Sequence, residues 1–391
     1  MASEIGENAT ARRSLVLRDA VSLGAIFLIT GLLFVCTLFL FRSFSAHRAE
    51  LARRWSDRGR RALADNKPKE AIADLHAALL YAPGSRDYEQ LLAQALGQAG
   101  RTEESYNYFL GLHETAPGDG DINLALARLA AARGNRSEAV QYYRAAIYGT
   151  WSAGDGVERR AAVRSELARY LIAQQDLESA RMELLIAGGN SPDTYERDMN
   201  FGHLFEAAQD PKNAAIYYHK AIALRPDSAE ALENAGRLAY SAADYASARK
   251  LLERASQLRS REDSSQAVRD ADAAHNAGRL LELTPAPSLP VRERVSRILA
   301  LRSIAKKRLD ACTQQAGQQL AASDIAARWA GPEANSSAAA LIREPARQDA
   351  LLELVFDTER RLDSVCGPAS GDDALVLRLA SIIKEATATH D

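Results

Sequence analysis

Between Ala52 and Glu262 the chain repeats one pattern six times, and this limits the folds open to it more than any other feature. A small residue stands at Gly59, Ala93, Ala127, Ala168, Gly202 and Gly236, at intervals of 34, 34, 41, 34 and 34 residues. Twelve residues after each comes a second small position: Ala71, Ser105, Ala139, Ala180, Ala214 and Ala248. Seven further on stand Ala78, Leu112, Ala146, Ala187, Ala221 and Ala255. A proline closes four of the six units, at Pro83, Pro117, Pro192 and Pro226.

Each unit reads as two short helices. Gly or a polar residue separates them at Gly100-Arg101, Gly134-Asn135, Gln175-Asp176 and Gln209-Asp210-Pro211. Antiparallel helices that approach closely need small side chains where their backbones meet, and a bulky residue then fills the gap beside them. Leu75, Phe109, Tyr143, Leu184, Tyr218 and Leu252 occupy that place. One helix pair cannot bury such a face alone, so neighbouring pairs must stack. An Ala-rich bundle with chance periodicity would not keep four positional rules in register over six units.

A 34-residue period with this punctuation resembles the tetratricopeptide repeat. The resemblance implies an all-α fold, an α-solenoid in which helix pairs wind into a right-handed superhelix, and a role in binding proteins rather than catalysis. The repeats are expected at 52–85, 86–119, 120–153, 161–194, 195–228 and 229–262. Gly154–Arg160 is expected as a loop insertion that explains the one 41-residue interval. Ala277-Gly278-Arg279-Leu280 echoes Ala235-Gly236-Arg237-Leu238, but Thr284–Pro290 interrupts the unit before its second helix. Residues 263–307 are therefore expected to form a degenerate repeat and cap that cover the last apolar face.

Ahead of the repeats, Ala20–Phe41 gives 22 residues without a charge. As a helix this spans about 33 Å, enough for a bilayer core. The run is too long for a signal-peptide core of about 7–15 residues. The expectation is a single-pass membrane protein, in the cytoplasmic membrane if bacterial, with a tail at 1–19, a transmembrane helix at 20–41 in contact with lipid, and a polar juxtamembrane linker at 42–51. The tail reads as disordered or solvated. Arg12, Arg13 and Arg18 before the span nearly balance Arg42, Arg48, Arg53 and Arg54 after it, which leaves both orientations open.

Residues 308–391 are expected to be a helical C-terminal region, with helices around Gln348–Leu362 and Ala374–Ala386 and a loop at Gly331–Ser337. Among three cysteines no Cys-x-x-Cys pair occurs, and seven histidines show no metal-ligand spacing. Phosphate-loop, dinucleotide and nucleophile-elbow motifs are missing too, so neither an enzyme nor a cofactor is implied. A formal charge of −2 argues against nucleic acid. Cys312 and Cys366 would pair in an oxidising compartment; buried free thiols are the reading favoured here.

For binding, the family resemblance implies a concave face lined by the first helix of every pair. One residue after each small position stand Arg60, Gln94, Arg128, Arg169, His203 and Arg237. In line they would make a donor-rich track for an acidic or extended peptide. The carboxylate clamp of tetratricopeptide chaperone adaptors is matched poorly: of Ser165, Arg169, Asn200, Glu230 and Asn234, only Asn200 agrees fully and Glu230 has the wrong charge. Alternative readings are an accessory factor for envelope assembly, secretion or polysaccharide export, and an enzyme hidden after residue 307.

Overall fold

The structure, a computed structural model, describes residues 2–151, 156–189, 192–259, 264–316 and 324–388, with side chains described from residue 20 to 314 and to 383 within these. Every regular element among them is a helix. The paired helices are α1 (Ala2–Ala64), α2 (Pro68–Tyr81), α3 (Arg86–Gln98), α4 (Thr102–Thr115), α5 (Gly120–Ala132), α6 (Arg136–Tyr148), α7 (Gly156–Ala173), α8 (Leu177–Gly189), α9 (Tyr195–Ala207), α10 (Pro211–Leu224), α11 (Ala229–Ser241) and α12 (Tyr245–Arg259). After them come α13 (Ser264–Leu283), α14 (Val291–Ala316), α15 (Asp324–Ala330), α16 (Ala338–Arg343), α17 (Pro345–Cys366) and α18 (Asp372–Ala388). This is the all-α solenoid that the repeat predicts. The chain divides into two compact units, residues 1–175 with 185–191, and residues 176–184 with 192–391.

Small residues do in the pairs what their spacing requires. A Cβ on Gly59 would lie 2.7 Å from Leu75 Cγ, one on Gly236 would lie 2.8 Å from Leu252 Cγ, and one on Gly202 would run into the Tyr218 ring. The turn inside each pair obeys an equally strict rule. Asn66, Gly100, Gly134, Gln175, Gln209 and Ala243, each seven residues after a small position, all have left-handed backbone, with φ between 55° and 77°. The next residue's N–H reaches back to a carbonyl five residues earlier, as Lys67 to Ala62 (2.8 Å), Arg101 to Leu96 (2.9 Å) and Asp210 to Phe205 (2.8 Å). That is a Schellman-type helix end. The residue after the turn then caps the second helix. Asn135, Asp176, Asp210 and Asp244 accept from the N–H groups of Glu138, Ser179, Asn213 and Ser247.

In the first unit, α1 departs from expectation. The tail and the linker at 42–51 are not separate segments; one helix runs from residue 2 to residue 64. No Gly or Pro lies between Arg42 and Gly59, and a helix already nucleated extends at little cost through such residues. Residues 20–41 are long and apolar enough to cross a membrane by length and composition, and their side chains are exposed. Residues 156–160 of the expected insertion loop are the first turns of α7, whereas 154–155 lie outside the described residues. Trp151, standing where other units have proline, packs on Gly120, with Arg159 over its ring.

In the second unit the last pair and the C-terminal helices share one core. It runs from Tyr245, Ala248 and Leu252 through Ala277, Leu280 and Ile298 to Trp329, Leu351, Phe356 and Val376. Helix α13 packs against α12, and α14 continues past residue 307, so 263–307 and the C-terminal region share one body rather than two. Helices α17 and α18 enclose the expected pair, and 331–337 is non-helical. Cys312 and Cys366 are not free thiols: they are bonded, with Cα atoms 5.9 Å apart, well within disulfide reach. Beside them Arg308 donates to the buried carboxylate of Glu359 (2.6 Å) and to the Gly367 carbonyl (2.9 Å).

Candidate binding groove

The six residues expected to line the concave face are all exposed, in keeping with their placement one step past a buried small residue. Their surroundings differ. In the first unit Arg60, Gln94, Arg128 and Arg169 stand on α1, α3, α5 and α7. Gln94 and Arg128 border an open cavity of about 380 Å³ whose wall includes Phe109, Leu124 and Leu129 and whose polar edge includes Gln98 and Asp121. Apolar wall and polar edge together suit an extended chain with alternating side chains.

Arg128 is not a free donor. Its guanidinium makes a two-pronged contact to Glu166 on α7, with Nε and Nη2 each 2.7 Å from a carboxylate oxygen. The Tyr143 hydroxyl of α6 donates to the same carboxylate at 2.9 Å. Burial works to raise the Glu166 carboxyl, but the hydrogen bonds and charge of Arg128, the Tyr143 hydroxyl and the nearby charge of Arg169 outweigh it and hold it below the ordinary value. Burial, and then the Glu166 charge, push the Tyr143 phenol up, so it remains a donor.

The second unit repeats the arrangement with different connectivity. Arg237 on α11 donates to Glu206 on α9 at 2.6 Å, and the Tyr218 hydroxyl of α10 donates to the other oxygen of Glu206. Tyr143 and Tyr218 hold equivalent positions, sixteen residues past their small residue. His203 lies 3.3 Å from Asn234 and 3.9 Å from Glu230, with its ring edge-on to Tyr218. Of the clamp-like set, Ser165 is buried and donates to Ala161. The acidic members of both triads, Glu166 and Glu206, escape the sequence pattern. They fall two residues before and four residues after a small position, so no single rule finds both.

In each unit one arginine of the expected row is thus paired with a carboxylate, Arg128 with Glu166 in the first and Arg237 with Glu206 in the second. Among the described residues no group of three His, Cys, Asp or Glu side chains is placed to hold a metal ion.

No protein-family model and no curated protein matches the chain. Solved structures are similar to it at low identity. The C-terminal part of a TPR repeat-containing protein from Cytophaga hutchinsonii is 11% identical, with 79% of this chain and 96% of that one covered, at a TM-score of 0.44. PilW, a type IV pilus biogenesis factor, is 14% identical over 54% of this chain and 92% of that one, at 0.40. YrrB, a TPR protein with an unusual peptide-binding site, is 16% identical over 46% and 88%, at 0.34.

Proposed function

From a solenoid of tetratricopeptide-type helix pairs with an apolar N-terminal helix, we propose that the chain is a single-pass membrane scaffold. Its first-helix faces bind a protein or an extended peptide, and it catalyses no reaction. The observation that carries this reading is the exposure of all six equivalent positions, Arg60, Gln94, Arg128, Arg169, His203 and Arg237, each with a hydrogen-bonding side chain. A main-chain strand supplies both donors and acceptors, and so suits faces on which arginine is already paired with glutamate, as Arg128 is with Glu166 and Arg237 with Glu206. A simple acid would have to compete with Glu166 and Glu206.

The C-terminal region holds a second cavity. It measures about 480 Å³, lies between α17 and α18, and has an apolar floor of Leu352, Phe356, Ala380 and Ile383. Two of its rim charges are already engaged, Asp349 with Arg294 and Arg360 with Asp357.

The test is to replace Arg128, Arg169 and Arg237 with Glu together and to monitor photo-crosslinking from position Gln94 in cells. Adducts should fall several-fold while helicity by circular dichroism is kept. Unchanged adducts would reduce the stripe to surface decoration.

A narrower reading, an accessory factor of envelope assembly, secretion or polysaccharide export, is favoured by the bonded Cys312 and Cys366, because such pairs persist in oxidising compartments. Reporters active on only one side of the membrane, fused after Asp391, decide it. Activity of the internal reporter alone would reject this reading and leave the general scaffold.

A further inference from the structure

We infer that the corner between α2 and α3 is a second membrane-contacting surface, which rests in the lipid headgroup layer beside the span. The inference rests on the reading that residues 20–41 of α1 cross a bilayer.

Because α1 has no break, helix geometry sets the position of the first repeat above the membrane. Arg48 is seven residues beyond Phe41, about 10 Å above the end of the span at 1.5 Å per residue, and a tilt of about 20° changes this by less than an ångström. Helix α2 runs back down α1 towards the bilayer. Three contacts fix its direction: Gly59 against Leu75, Arg58 to Asp74 (3.4 Å), and Arg48 to the end of α2.

The last contact sets the height of the corner. Side chains of a helix lean towards its N-terminus, which for Arg48 means towards the bilayer. Its guanidinium donates to the Tyr81 carbonyl at 3.0 Å and reaches that of Leu80 at 3.5 Å, closing the C-terminal end of α2. The chain then goes on past α2 through Ala82 and Pro83 before α3 turns away. The headgroup layer extends roughly 5–8 Å beyond the hydrocarbon on each side, so the corner meets its outer margin.

Its composition fits that place. Leu80 is 78% exposed in the last turn of a helix that buries Ala71, Ile72, Leu75 and Ala78, and Tyr81 and Pro83 are exposed beside it. Phe44, three residues past the span and 63% exposed, lies one turn below Arg48, with the Arg48 guanidinium 6.0 Å from its ring. Tyrosine and arginine flanked by apolar side chains are what a membrane–water interface accommodates. The occupant is therefore lipid, continuous with the lipid around the span. Two contacts, one through the bilayer and one on it, would stop the first repeat from swinging about the axis of α1.

The test uses the full chain in vesicles of phosphatidylcholine and phosphatidylglycerol, with Cys36→Ser and the Cys312–Cys366 pair left oxidised. A fluorescent label is placed by Phe34→Cys, Leu80→Cys or Lys69→Cys in separate samples. Lys69 is exposed in the first turn of α2, about 16 Å further from the bilayer than Leu80. An acyl-chain quencher should quench the label at position 34, and a headgroup quencher should quench that at position 80 several-fold more than that at 69. Quenching at 34 with equally weak quenching at 80 and 69 overturns this inference and leaves the anchor intact. Absence of quenching at 34 overturns the anchor and the inference together. Equal, strong quenching at 80 and 69 shows a repeat lying flat on the membrane and also overturns it.

Discussion

Gly134 and Ala243 occupy the same turn of different repeats, and exchanging their residue types should move stability in opposite directions. Gly134 has φ 73°, and a Cβ built there meets nothing within 4 Å. Gly134→Ala therefore carries no packing penalty. Its cost is the left-handed conformation itself, about 1–2 kcal/mol for an L-residue. Reduced freedom of the unfolded chain returns about 0.4–1 kcal/mol, which leaves a net loss of roughly 0.5–1 kcal/mol. Ala243 has φ 61° and is partly buried beside Tyr245. Ala243→Gly relieves the same strain but gives up part of a methyl contact, so the net gain is about 0.5 kcal/mol. Hydrogen exchange of the peptides spanning 130–140 and 239–249, in detergent-solubilised full chain, reads each turn locally. Urea midpoints add the global effect. Faster exchange in the first variant and slower exchange in the second are expected. Shifts of the same sign, or a neutral Gly134→Ala, would refute left-handed strain as what this position imposes.

The same kind of packing argument fixes two further outcomes. Gly202→Ala forces a methyl against the Tyr218 ring and should cost about 1–3 kcal/mol by urea unfolding, and it should loosen the Tyr218 bond to Glu206. Glu359 is fully buried, and burial outweighs the opposing Arg308 hydrogen bond, raising its pKa from 4.5 to about 7. The folded chain thus keeps a proton that the unfolded chain loses, so this carboxyl makes stability fall as pH rises from 4.5 to about 7, with no further loss above. Glu359→Gln should flatten that slope in thermal melts across the window, and an unchanged slope would assign it to another group.

The repeat was legible because its signals are local and steric. Gly59 opposite Leu75 or Gly202 opposite Tyr218 is a size requirement that only a few residues meet, and a period of 34 makes it visible six times. The turns were half legible: glycine at 100 and 134 announces a left-handed residue, whereas Gln175, Gln209 and Ala243 take the same φ because the helices on either side impose it. Boundaries that depend on a missing signal were not legible. Nothing in 42–51 breaks a helix, yet a polar decapeptide after an apolar run reads as a linker. Pairings that depend on the whole fold were silent as well. Cys312 and Cys366 are 54 residues apart, and Arg308 and Glu359 are 51 apart, distances at which sequence carries no register.

The exposure of the six first-helix positions was legible, but the pairing of their charges was not. Sequence placed Arg128 and Arg237 on the exposed face, where they are, and counted them as donors for a partner. In the fold each is shared with a carboxylate that a buried tyrosine also holds, Tyr143 on Glu166 and Tyr218 on Glu206. A half-buried carboxylate with an arginine on one side and a phenol on the other is fixed in orientation, and so is the arginine that it holds. The arginine then presents its remaining N–H groups along a set direction without first losing side-chain freedom, which is a cost that binding otherwise bears. The face gives up net positive charge and gains geometry. Under the proposed binding role, that trade favours partners recognised by the direction of their hydrogen bonds, as a main-chain strand is, over partners recognised by charge alone.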